Sequence, residues 1–112
     1  MGKTKSDAIV LKNGEQSISL DYTELRKAVL VLRAVNHKLR QKMVEMISEQ
    51  KRMTVTEIYV KLRLEQSVAS QHLAILRRAG VVITERDGKF IFYSVDHSRV
   101  GHISEIVDEL VD

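Results

Sequence analysis

Residues 64–80 read L-E-Q-S-V-A-S-Q-H-L-A-I-L-R-R-A-G. Ala69, Leu73, Leu76 and Ala79 recur at helical spacing and form a narrow apolar stripe. Ser67, Ser70, Gln71 and Arg78 fall elsewhere on the same helix, with Gln66 at its start. Short hydrogen-bonding side chains on the first two turns suit the major groove of DNA, where amides and hydroxyls meet base edges and phosphates. Gly80 supplies the left-handed residue that ends the helix. Taken alone, the stretch reads equally well as a surface helix rich in Ser and Gln, so its flanks decide.

Upstream, Lys51-Arg52-Met53 is a short connection, and Thr54 opens T-V-T-E, a capping box with Glu57 at the third helical position. The helix it starts runs to about Leu62 with Val55, Ile58 and Leu62 inward. Arg63-Leu64-Glu65 leaves room only for a turn, so the two helices make a helix-turn-helix. Downstream, V-V-I-T-E-R-D-G-K-F-I-F-Y-S-V is β-branched and aromatic, with Asp87-Gly88 at its centre. Pairing Arg86 with Lys89 sets Ile83 opposite Phe92 and Val82 opposite Tyr93, a hairpin with a basic tip. Directly after a recognition helix such a hairpin is a wing; the plainer alternative is a hairpin that only covers the core.

The outer segments complete the pattern. Residues 8–20 carry Asn13-Gly14, a two-residue hairpin signal. Pairing Lys12 with Glu15 sets Ile9 opposite Ile18, and Ile9, Leu11, Ile18 and Leu20 share a face. A lone hairpin is marginal in water, so it should pack on the body or on a partner subunit. Asp21 with Glu24 predicts a capping box for a helix whose stripe is Tyr22, Leu25, Val29, Leu32 and Val35, widened by Ala28 and Val31. That is more apolar surface than a small core needs and points to an oligomer contact. Asn36 reads as a break and a new cap. The next helix, to about Gln50, buries Leu39, Met43, Met46 and Ile47 and exposes Lys38, Arg40, Lys42 and Glu45. Asp96 or Ser98 caps a last helix striped by Val100, Ile103, Ile106, Val107 and Leu110. A homodimer built from Leu25, Val29, Leu32, Ile103, Ile106, Val107 and Leu110 is the natural way to cover both ends of the chain.

Composition narrows the function classes. The 112 residues fit one domain over 21–112 preceded by an arm over 1–20, in which the polar stretch Met1 to Asp7 is expected to fray. There is no cysteine, which excludes disulfides, thiolate metal sites and thiol nucleophiles. No apolar run approaches the ~20 residues of a membrane span and no hydrophobic signal region precedes Asp7, so a cytoplasmic protein is expected. The first 99 residues hold all 18 basic and 11 of the 15 acidic side chains, a balance compatible with a polyanion partner. Glycine-rich phosphate loops, H-E-x-x-H and G-x-S-x-G are missing, and Ser70 and His72, two apart on a helix, point apart. An enzyme is not expected.

L-E-Q-S-V-A-S-Q-H-L-A-I-L-R-R-A-G-V-V followed by R-D-G-K-F-I-F-Y-S-V-D resembles the ArsR-type winged-helix regulators, whose pattern is L-S-Q-S-x-x-S-x-H-L-x-x-L-x-x-A-G-L-V and then a basic hairpin. L-R-A-V-N-H-K-L-R-Q-K-M-V is similar to the family's A-L-x-D-P-x-R-L-x-I-L, with Asn36-His37 in place of Asp-Pro. The resemblance covers about residues 22–111 and leaves the first hairpin outside. It implies a mainly α fold with a β-hairpin wing, α-α-α-α-β-β-α. It also implies a homodimer on an inverted-repeat operator in double-stranded DNA, usually repressing. By position, Gln66, Ser67, Val68, Ser70 and Gln71 would face the major groove. Arg86 and Lys89 would reach phosphate or minor groove, Arg77 or Arg78 would add a phosphate contact, and His72 would support the fold. The family's metal-sensing positions look empty. Met53-Thr54-Val55-Thr56-Glu57 has threonines where thiolates would sit, His97 is one position off after Asp96, and His102 with Glu105 comes two turns early. No metal or cofactor is therefore expected, and the effector is unassigned. The competing reading is a winged helix that binds protein and lacks sequence-specific DNA binding.

Overall fold

The computed structural model describes residues 8–112, so the expected fraying of Met1 to Asp7 lies outside the described residues. The elements run β1 (Ala8–Asn13), β2 (Gln16–Asp21), α1 (Tyr22–Val35), α2 (Lys38–Gln50), β3 (Met53–Thr54), α3 (Val55–Leu62), α4 (Gln66–Arg78), β4 (Val82–Asp87), β5 (Phe90–Val95) and α5 (His97–Val111). This is a winged helix-turn-helix preceded by a hairpin, with one addition. The two-residue strand β3 pairs antiparallel with β5, Met53 with Tyr93 and Thr54 with Phe92, so the wing supplies two strands of a three-stranded sheet ordered β3-β5-β4.

The core lies where α2, α3 and α4 meet the sheet. Met43, Ile47, Ile58, Leu73, Leu76, Val81 and Val82 are fully buried there. With so few aromatic residues, the packing rests on aliphatic and Met side chains, each contributing about 1.5–3 kcal/mol when fully buried. Thr54 serves two elements. It ends β3 and caps α3, with its hydroxyl accepting from the Glu57 N–H while the Glu57 carboxylate accepts from the Thr54 N–H at 2.8 Å. Arg63 takes the left-handed conformation at φ 58° and closes α3, and Leu64 N–H returns to the Tyr59 carbonyl. That closure sets the turn into α4.

Both hairpins close one residue later than expected. Asn13 pairs with Gln16 and Asp87 with Phe90, so Ile9 faces Leu20, Leu11 faces Ile18, Ile83 faces Ser94 and Val82 faces Val95. Gly14 and Gly88, each at φ 65°, take the first of the two central turn positions. Asn13 and Asp87 thereby become strand residues. The first strand of each hairpin gains a residue and the second gives one up, so the pairing slips by two positions and every side chain keeps its face. Among the described residues none covers the apolar face of the first hairpin: Ile9, Leu11, Ile18 and Leu20 all remain exposed.

The cap assignments shift as well. Asp21 caps α1 by accepting from Thr23 N–H, while Glu24, expected to complete a box, lies 3.4 Å from Lys27 Nζ. Asn36 ends α1, and His37 caps α2, its Nδ1 accepting from Leu39 N–H. Asp96 caps α5, with Oδ1 accepting from Arg99 N–H. In α1 the one fully covered side chain is Ala34; Leu25 and Val29 point outward.

Candidate nucleic-acid interface

α4 is a two-sided helix. Ala69, Leu73 and Leu76 are completely buried and seat it on the core, and Ala79 follows just beyond its end. Gln66, Ser67, Ser70 and Gln71 are exposed on its first two turns and Val68 is half-buried among them. Glu65, the residue before the helix, makes no side-chain cap, whereas Asp21, His37, Thr54 and Asp96 each cap theirs. Among the described residues the leading N–H groups of α4 thus have no side-chain cap, at the end where the helix dipole favours negative charge. Arg77 and Arg78 are exposed at the far end, ~18 Å along the axis. Ser70, Ala74, Arg77, Arg78 and Tyr93 line one groove of about 410 Å³, which brings the helix and the wing strand β5 together.

The wing presents Arg86 and Lys89, both exposed, at its tip. A third cation was not anticipated. Arg52 lies with its guanidinium carbon 3.9 Å from the Phe92 ring centroid and its Nη2 3.1 Å from Asp87 Oδ2. It is delivered there because β3 pairs with β5, and a two-residue strand carries no periodicity from which that pairing could be read.

The expectation that Arg40 is exposed is overturned. Arg40 is buried and joins three segments. Nε donates to the Ala34 carbonyl at 2.7 Å, Nη2 to the Arg33 carbonyl at 3.2 Å, and Nη1 to His72 Nδ1 at 3.1 Å. It therefore closes the C-terminal end of α1, where carbonyls lack helical partners, and ties that end to α4. The signal was available: Arg40, Met43 and Ile47 are spaced i, i+3, i+7, which puts Arg40 on the inward face of α2. Arginine has only donors, so His72 Nδ1 accepts and the imidazole is neutral. Burial, then the Arg40 charge, then His37 hold His72 below the usual imidazole range. His72 thus supports the fold from a half-buried position about 100° around α4 from solvent-facing Gln71.

Thr54 and Glu57 form the α3 cap, His97 Nε2 lies 2.9 Å from Ser48 Oγ, and His102 Nδ1 lies 4.0 Å from Glu105. Among the described residues no three His, Asp or Glu side chains come together. No described helix is long and apolar enough to cross a membrane. On the outer helices, Ile103 is taken up by the chain's own core and Leu32 packs partly against it. Leu25, Val29, Ile106, Val107 and Leu110 remain outward, joined by Leu30 and Val111.

A family model described as bacterial regulatory protein, arsR family, matches residues 37–84, which span α2, the helix-turn-helix and the start of the wing. The transcriptional repressor PagR of Bacillus anthracis is 31% identical over 91 residues, covering 81% of this chain and 91% of that protein. Its crystal structure superposes with a TM-score of 0.62 over 78% of this chain and 99% of PagR. The transcriptional activator HlyU of Vibrio cholerae is 34% identical over 84 residues, 75% of this chain and 77% of HlyU, and the HlyU structure gives a TM-score of 0.61. An ArsR-like regulator from Rhodococcus sp. RHA1, 14% identical with a TM-score of 0.69, shares the fold. With the helix-turn-helix, its polar leading face and the wing in place, the chain belongs to the ArsR family of DNA-binding, non-enzymatic transcriptional regulators.

Proposed function

We propose that this chain is a homodimeric repressor that binds an inverted-repeat operator. Residues 21–112 form the DNA-binding domain and 1–20 an arm on it. In this reading Gln66, Ser67, Val68, Ser70 and Gln71 enter the major groove, Arg86 and Lys89 grip the backbone or minor groove from the wing, and Arg77 or Arg78 adds a phosphate contact. Leu25, Val29, Ile106, Val107 and Leu110 supply the dimer contact, and the two-fold axis spaces the recognition helices by roughly 34 Å. The observation that carries the reading is the division of α4 into a fully buried back and a polar, uncapped leading face. The name of PagR favours repression; that of HlyU makes activation the alternative sign.

The test is selection of bound genomic fragments followed by anisotropy titration on the selected duplex over a range of salt. A dimer reading two half-sites loses affinity steeply with salt. Arg86→Ala with Lys89→Ala lowers affinity and reduces the salt slope by about 4, one for each phosphate contact removed across the two protomers, without altering the melting curve. A chain that stays monomeric while bound refutes the dimeric reading, and one that selects no fragment at low salt refutes the proposal and returns the winged helix to a protein-binding role.

A further inference from the structure

A cleft of about 500 Å³ opens between α1, the last turn of α4 and the first turn of α5. Lys27, Arg33, Arg40, Arg78 and Arg99 line it, and no acidic residue does. The wall between the cations is apolar, from Leu30, Val31 and Ile75 among others. The cations divide into two sets. Arg40 and Arg99 are held in the wall, Arg40 by the bonds described above and Arg99 by Nε donating to the Ala79 carbonyl at 3.1 Å. Arg33 and Arg78 have no side-chain hydrogen bond or ion pair among the described residues, and Lys27 has only the exposed Glu24.

Five like charges facing one cavity repel one another, and an anion relieves that repulsion. Two arginine forks without partners provide bidentate oxyanion donors. A bare inorganic ion would leave the apolar wall wet, whereas a ligand with an apolar tail would cover it. We propose that this cleft binds a small amphiphilic anion, an oxyanion head group on a short apolar chain. The position fits a ligand site in the assembled protein. Lys27, Leu30, Val31 and Ala34 recur at i, i+3, i+4, i+7, and Leu25, Val29 and Leu32 lie on the opposite side of α1. The cleft therefore stays open when that opposite side is covered. Arg40 belongs both to the cleft and to the bond with His72, so the site is placed to act on α4; this consequence, unlike the site itself, rests on the DNA-binding reading.

The test is calorimetric titration of the full chain, without DNA, using octanoate, octyl phosphate, octanol and inorganic phosphate. At least one of the two amphiphilic anions binds, and octanol and phosphate bind about tenfold more weakly or worse. The preference between octanoate and octyl phosphate identifies the head group as carboxylate or phosphate. Arg33→Ser with Arg78→Ser weakens binding by at least about tenfold, as loss of charge-assisted bonds requires. Should that variant fail to fold, Lys27→Ser with Leu30→Ser replaces it and lowers affinity in the same way. Absence of heat from both amphiphiles at millimolar concentration, or binding undiminished in the folded variant, overturns the proposal. Because DNA is left out, failure here leaves operator binding untouched, and failure to bind an operator leaves this result standing.

Discussion

Replacing Arg40 by Met removes the one charged side chain buried among the described residues and keeps an unbranched apolar stem in its place. Three bonds go with it: to the Ala34 carbonyl, the Arg33 carbonyl and His72. A hydrogen bond to a charged group contributes about 1.5–3 kcal/mol, so simple addition of three would give roughly 4–9 kcal/mol. Two effects reduce this. The Arg33 carbonyl keeps the Asn36 N–H as a donor at 3.2 Å. Removing a buried cation also recovers its desolvation cost, which amounts to several kcal/mol for a fully buried ion and less for one beside an open cleft. What is left is chiefly the Ala34 carbonyl, covered by its own residue at 1% exposure, whose loss of a partner costs about 1–3 kcal/mol. The expected net loss is about 2–3 kcal/mol, or roughly 10 °C in Tm for a chain of this size.

Urea and thermal unfolding at fixed protein concentration measure that loss, since dimerisation would make Tm depend on concentration. Arg40→Lys keeps the charge but not the planar fork, so it recovers only part of the stability. An NMR titration of the variant reports on His72 directly. Its pKa moves up toward the ordinary value but does not reach it, because burial, the larger cause, remains. A loss below about 1 kcal/mol in Arg40→Met would mean that the end of α1 is satisfied without Arg40, and the account of this residue as a joint between α1 and α4 would be wrong.

Gly80 sits at φ 78°, and a Cβ there would come within 3.2 Å of Arg99 Nε. Gly80→Ala should destabilise by about 2 kcal/mol, from left-handed strain of 1–2 kcal/mol and a weakened Arg99–Ala79 bond, as read by urea midpoints. Lys51 ends α2 at φ 74° with no side-chain hydrogen bond or ion pair among the described residues, so Lys51→Gly should raise stability by up to about 1 kcal/mol, seen as a Tm a few degrees higher. His72 is neutral and hydrogen-bonded when folded, with a pKa lowered from the ordinary 6.5. On acidification the unfolded chain therefore takes up the proton first. This contribution is fully present above about pH 6.5 and is lost as pH falls through the lower folded-state value. Unfolding curves of the parent minus those of His72→Gln should show that loss on the acid side; a flat difference would contradict the assigned neutral state.

What could be read from sequence was whatever rests on local periodicity. The α4 stripe, the Thr54–Glu57 box, the left-handed stop at Gly80 and both hairpins are each specified by residues within a few positions of one another, and each is present. The errors arose where a local rule met a distant partner. N-G and D-G mark a turn but leave open whether glycine is its first or second central residue, and the register followed the wrong choice. β3 exists because Tyr93 and Phe92 arrive beside Met53 and Thr54 from about 40 residues downstream. Charge alone places Arg40 outward. Its i, i+3, i+7 relation to Met43 and Ile47 placed it inward, and three acceptors supplied by other segments made that placement tolerable. The site follows the same division. Exposure of Gln66, Ser67, Ser70 and Gln71 follows from the opposite stripe on one helix, whereas Arg52 on the wing and the five-cation cleft each need elements that meet only in the fold. A charged residue at a core-facing helical position is therefore better read as a prediction of a partner than as an exception to the pattern. In this chain the partner is the exposed end of a neighbouring helix, and the bond made there extends to the back of α4, whose polar front is the proposed DNA-reading face.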